Sequence, residues 1–191
     1  MQSIRKAIQQ GFTLVELLIV VIILALLAAI VVPQFASSTD DAKLASLDTT
    51  LGNVRSAIDL YLQQHGEYPG ELTAVDVACT GTDGTGTGGA GAQGVLAFAD
   101  QMSLYTDAQG GACSVKDLNF KFGPYLKKAT LPANPITNVA TLVVINTGDL
   151  LMSGDGANGG WKYDILVGKF IANDTTDIDG TGPGTETYDQ R

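Results

Sequence analysis

One carboxylate, Glu16, stands inside an aliphatic run that extends from Phe12 to Val32. Burying an acid at the centre of a bilayer costs about 2.5–3.5 kcal/mol and less near the edge, so such a group either reaches the interface or finds a charged partner, and by default it marks a function. Cys79 and Cys113 are the only thiols, too few for a disulfide scaffold or a four-ligand zinc site but suited to one bridge. Near the C-terminus, Thr175, Asp177, Asp179, Gly180 and Glu186 fit the calcium-loop pattern D-x-[DN]-x-[DN]-G-x5-E at every fixed position but the first. Gly84, Gly86 and Gly89, and again Gly86, Gly88 and Gly91, spell a dinucleotide fingerprint by letter only. Neither the strand nor the helix of a βαβ unit is evident around them, and so many glycines produce chance matches. His65 is the single histidine and has no clear nucleophile for company, which argues against catalysis.

The elements that must position these residues begin with the apolar run. As a helix rising 1.5 Å per residue, Phe12–Val32 spans roughly 31 Å, which matches a hydrocarbon core of about 30 Å. Arg5 and Lys6 precede it and Asp40 and Asp41 follow, so the positive-inside rule leaves the first residues cytoplasmic and the bulk of the chain outside. Cys79 and Cys113 then lie where disulfides persist. An ordinary secretory signal would have an apolar region of about 7–15 residues ending in a small-x-small site, and Leu17–Val32 already exceeds that. A plain membrane anchor accounts for everything except Glu16. Cleavage between Gly11 and Phe12 would create an α-amino group four residues before Glu16. In a bundle of such helices, that amine could neutralise a neighbour's carboxylate.

Pro33 lacks a backbone donor and disfavours helix at the residue before it, so a kink or local unwinding is expected there. The helical pattern then resumes. Leu47, Leu51, Val54, Ile58 and Tyr61 form one apolar stripe with Leu44 and Leu62 at its edges, which reads as core. Gly66 and then Tyr68-Pro69 end the helix, where the dipole would mildly favour a cationic His65. A flexible Gly/Thr/Ala insertion is expected at about 80–94, bracketed by the two cysteines. Their bridge would close a loop of about 35 residues, worth roughly 4 kcal/mol in the chain-entropy account; the alternative is two unpaired thiols. Ala140–Ile145, Trp161–Ile165 and Lys169–Ala172 read as strands, with Val167-Gly168 turning between the last two. Packed on the helical stripe they predict an α+β domain with a small antiparallel sheet.

The net charge of −9, or −11 without Arg5 and Lys6, argues against binding a nucleic-acid backbone and fits a solvated exterior. No triad signature, zinc motif or P-loop occurs. The acidic turn Ser153–Asn158, with Asp155 and Asn158, offers a second place for calcium, instead of or together with Asp177, Asp179 and Glu186. Both segments also read as solvated turns, since Asp, Asn and Gly dominate turns for conformational reasons.

Gly11-Phe12-Thr13-Leu14-Val15-Glu16-Leu17-Leu18-Ile19-Val20, followed by Pro33, resembles the prepilin processing signal of type IV pilins and type II secretion pseudopilins. The resemblance implies cleavage after Gly11 by a prepilin peptidase, N-methylation of Phe12, and assembly of a helical filament guided by pairing of Glu16 with a subunit's N-terminus. It divides the chain into a cleaved cytoplasmic leader at 1–11, a transmembrane and filament-core helix at 12–33, and a pilin-like extracytoplasmic domain at 34–191. Membrane lipid would hold the precursor; an inner-membrane assembly platform and a cytoplasmic ATPase would supply what this chain lacks. Tyr61–Pro69 and Gly123–Pro135 are similar to stretches of major pseudopilins, a class with an acidic calcium loop near the end of the chain. The 79–113 insertion and the absence of C-terminal cysteines depart from the commonest patterns. A pseudopilin is therefore expected first. A pilus subunit for adhesion, motility or DNA uptake, and a membrane-anchored binding module, remain open.

Overall fold

The computed structural model describes residues 12–156, 159–175 and 187–190, without the side chains of 32–38. The chain divides into two compact units, Met1–Ala42 and Lys43–Arg191. One helix, α1 (Leu14–His65), contributes to both and runs through Pro33 as a single element. The proline ring removes one i to i−4 hydrogen bond, that to the Ala29 carbonyl, without ending the helix.

In the second unit the stripe is core, as its spacing requires. Leu47, Leu51, Val54, Ile58 and Tyr61 are buried, and Leu44 and Leu62 are half-buried at its margins. The helix ends where Gly66 adopts φ 79° and donates its N–H to the Leu62 carbonyl at 2.8 Å, a left-handed cap that glycine takes without a Cβ penalty. The stripe shares one apolar cluster with Phe98, Met102, Trp161, Tyr163 and Phe170. Within it Trp161 stacks on Phe170 at 5.4 Å between centroids, and Phe98 meets Tyr163 at 5.0 Å.

Helix α2 (Ala92–Ser103) was not anticipated from the sequence; Ala97, Phe98 and Met102 are among the residues it buries. A ribbon follows, β1 (Tyr105–Thr106) antiparallel to β2 (Ala112–Cys113). The three expected strands form, as β3 (Leu142–Ile145), β4 (Trp161–Asp164) and β5 (Lys169–Ala172), and a short 3-10 turn covers Tyr188–Gln190. The α+β class holds, and β4 and β5 form the expected antiparallel hairpin with Gly168 in its turn. The sheet is mixed, however, because β3 pairs with β4 in parallel, Leu142 opposite Trp161 and Ile145 opposite Asp164. The reason lies in the connections: a parallel return needs a crossover of a dozen or more residues, which 146–160 provides, whereas the β4–β5 link is only a tight turn. Asp164 fastens both. Its Oδ2 accepts the Thr147 hydroxyl and the N–H groups of Gly148 and Asp149, and its Oδ1 accepts the Leu166 N–H. Burial pushes this carboxyl up, but those hydrogen bonds outweigh it and hold the group below the usual carboxylate range.

The glycine tract is packed, which corrects the expectation of a flexible insertion. Gly84 N–H donates to the Ala112 carbonyl, Ala74 N–H to Gly86, Gly89 N–H to Gly70 and Gly91 N–H to Val144. A Cβ on Gly86 would lie 2.0 Å from the Ala97 nitrogen. Glycine is needed here so that the tract can lie directly against α2.

Candidate functional site

At the start of α1, Thr13 and Glu16 close on each other. The Thr13 N–H and hydroxyl both donate to Glu16 Oε2, at 3.1 and 2.8 Å, and the Glu16 N–H donates to Thr13 Oγ1 at 3.2 Å. This reciprocal pair is a capping box, which satisfies two amide donors that the first helical turn leaves without partners. Its signature, Thr-x-x-Glu ahead of an apolar run, was legible in the sequence and was missed. Glu16 thus has a local structural role besides the one its place in an apolar helix suggests. Phe12 stands just before the box, 77% exposed, while Gly11 lies outside the described residues. From Leu14 to Val31 the helix is apolar and long enough to cross a membrane, and all of these side chains are exposed.

Cys79 and Cys113 are joined by a disulfide with Cα atoms 5.5 Å apart, and the bridge ties the loop before the glycine tract to β2. His65 ends α1 with its Nε2 3.0 Å from both the Tyr125 and Thr106 hydroxyl oxygens, its ring stacked on Tyr61 at 4.0 Å. Burial lowers its pKa, opposed by the Ala108 backbone, so the enclosure of the ring wins over the helix dipole expected to favour its cationic form.

Of the calcium candidates, Asp177, Asp179, Glu186 and Asn158 lie outside the described residues. Asp155 is described and exposed. Among the described residues, no three His, Cys, Asp or Glu side chains are grouped to hold a metal. What the fold does hold in place is the first acidic turn, through side chains far along the chain. Asp189 Oδ2 accepts the Gly154 N–H at 2.7 Å, and Asn173 Oδ1 accepts the Asp155 N–H at 2.9 Å. The 153–156 turn is thereby tied to residues on either side of the 176–186 segment. Asp174 and Asp189, both buried, were not singled out in the sequence.

Residues 6–32 match the family described as the prokaryotic N-terminal methylation motif. A fimbrial protein of Neisseria meningitidis is 38% identical over 71 residues, 37% of this chain and 42% of that one. The type II secretion system core protein G of Pseudomonas aeruginosa is 43% identical over 61 residues, 32% of this chain and 43% of that one. The type IV narrow pilus major component PilA5 of Thermus thermophilus is 48% identical over 48 residues, 25% of this chain and 41% of that one. The chain thus spans little more than two fifths of the length of these curated relatives. No solved structure matches it. The methylation motif and the exposed apolar helix fit an inner-membrane anchored pilin, and through this segment the chain is similar to pilus and pseudopilus subunits alike.

Proposed function

We propose that the chain is a structural subunit of a type IV pilus-like filament rather than an enzyme. It is made as an inner-membrane precursor, cut between Gly11 and Phe12 by a prepilin peptidase, N-methylated at Phe12 and polymerised through its N-terminal helices. The observation that carries this reading is Glu16 in the first turn of an exposed apolar helix, inside the segment that matches the methylation motif and four residues after Phe12. Once the leader is gone, the new amine of one subunit neutralises the Glu16 carboxylate of a neighbour in a dry bundle, where an unpaired charge is costly. Lipid covers the helix before assembly and neighbouring helices cover it afterwards. The remainder of the chain faces the periplasm first and the filament surface later. An inner-membrane platform and a cytoplasmic ATPase drive assembly.

Between machines, a type II secretion pseudopilus is the first reading, supported by the core protein G relative and the Tyr61–Pro69 and Gly123–Pro135 stretches. A type IV pilus is the second, supported by the fimbrial and PilA5 relatives. Structural calcium belongs to the pseudopilus reading, with Asp177, Asp179 and Glu186 as its ligands and Asp155 and Asn158 serving instead or contributing.

Glu16→Gln tests the function. Glutamine can still close the capping box but carries no charge. Membrane insertion should be retained and filament assembly lost. Normal assembly of Glu16→Gln would show that the residue only caps the helix and would sink the charge-pairing account.

A further inference from the structure

Two surfaces of the second unit carry opposite charge, one around an apolar pocket and the other around an exposed leucine. The first is a pocket of about 330 Å³ whose apolar walls include Val54, Leu126, Leu131 and Pro132, with Lys127 and Lys128 on its rim. That is the low end of ligand-pocket size and suits the insertion of a side chain. The second is the tip of the 114–119 segment, where Leu118 is 95% exposed. The turn itself holds Leu118 there: Asp117 Oδ1 accepts the N–H groups of Asn119 at 2.7 Å and Phe120 at 2.9 Å, and Phe120 is buried. Beside it, Leu118 shares a cleft of about 250 Å³ with Asp76 and Asp107. Lys121 lines the same cleft, its ammonium over the Phe122 ring, and Lys116 lies over Tyr105. With Asp83, which accepts the Asp76 N–H, and Asp117 in the turn, four acids around this tip outnumber the two lysines.

We propose that Leu118 of one subunit seats in the Val54/Leu131 pocket of a second copy, with that copy's Lys127 and Lys128 facing Asp76, Asp107 and Asp117 around the leucine. Charge selects this occupant. Leu150 and Leu151 are also exposed, but Lys169 and Lys162 bind the carbonyls of Leu150, Met152 and Ser153, so that tip would bring lysines to lysines. The apolar groove between α2 and β3, lined by Val95, Leu96, Leu142 and Val143, has no charged wall to choose a partner. Burial and the adjoining Asp76 carboxyl raise the Asp107 pKa, a strain that an approaching ammonium would relieve. Tip and pocket are different patches of one chain, so the contact is heterologous, and contacts of that kind extend into open filaments when the rotation does not close. The inference therefore rests on the filament reading and says how the exterior domains hold one another.

The test places a photoreactive amino acid at position 118 of the full chain in cells that assemble filaments. Irradiated filaments should yield a cross-linked pair whose joined peptide contains residues 126–132 of the second copy. Lys127→Glu with Lys128→Glu should cut that cross-link and the filament yield roughly tenfold, as expected if two rim contacts together are worth one decade in binding, while the unfolding midpoint read by Trp161 fluorescence stays unchanged. Filaments that form but cross-link elsewhere, to another protein or not at all would overturn this contact and leave the filament reading standing. Failure to find filaments alongside an active prepilin peptidase would overturn both.

Discussion

Replacing Gly86 by alanine tests the packing of the glycine tract most sharply, because two accounts of the tract predict opposite signs. A Cβ at this position would meet the Ala97 nitrogen at 2.0 Å, the Ala97 Cα at 2.5 Å and the Leu96 carbonyl carbon at 2.7 Å. All three are backbone atoms of α2, so no side chain can swing aside. Either the tract or the helix must shift by about an ångström, and overpacking of this kind costs about 1–3 kcal/mol, occasionally more. Taking about 2–3 kcal/mol, and about 2–4 °C per kcal/mol for a unit of this size, Tm should fall by about 4–12 °C. A flexible tract would behave otherwise. There alanine would only reduce the freedom of the unfolded chain and stabilise by about 0.4–1 kcal/mol. Gly52 supplies the control, since it sits exposed in α1 and a Cβ added to it would meet nothing within 4 Å. Gly52→Ala should stabilise by about 0.5–1 kcal/mol through helix propensity. Trp161, the single tryptophan and fully buried, reports unfolding by fluorescence in urea or on heating. An unchanged or raised midpoint for Gly86→Ala would refute the packed tract.

Cys79→Ser with Cys113→Ser should lower stability by up to about 4 kcal/mol, from the closure entropy of a loop with a sequence separation of 34. Two alkylatable thiols in the native, non-reduced protein would contradict the bridge. Because burial holds the folded His65 below its ordinary pKa, the unfolded chain binds more protons between the two values. The His65 contribution is therefore complete above about pH 6.5, the unfolded value, and is lost as pH falls through the folded one. Subtracting the pH profile of His65→Gln from that of the wild-type protein should isolate this loss, and parallel profiles would rule it out. Calcium, if it is bound by the acidic turns, should raise Tm in proportion to ln[Ca²⁺] and lose that effect on chelation. No heat of binding and no shift in melting would remove calcium from the account.

The parts of the fold legible in the sequence are those set by local period. The Leu47–Tyr61 stripe, the three strands and the Gly66 stop all follow from spacing or from one residue's backbone preference. Helix α2 escaped because its N-cap, Gly91 at φ 73°, offers no side-chain cap, and glycine and alanine fill much of its sequence. Yet Gly94, Ala97, Phe98, Gln101 and Met102 lie on its buried face at helical spacing. The parallel β3–β4 pair was illegible for another reason: alternation fixes which face a residue takes but not the direction of its neighbour. The His65 pKa is lowered by burial in an enclosure that includes Thr106 and Tyr125, residues far away in sequence. At the N-terminus the reverse holds: Thr13-x-x-Glu16 ahead of an apolar run spells a capping box in plain letters, and the structure forms it.

The central claim, processing at Gly11 for assembly, is tested most directly by the intact mass and N-terminal sequence of the protein recovered from native membranes. The account predicts a chain that starts at Phe12 and is heavier by one methyl group. A chain still starting at Met1 in cells with an active prepilin peptidase, or one starting beyond Val32, would contradict it.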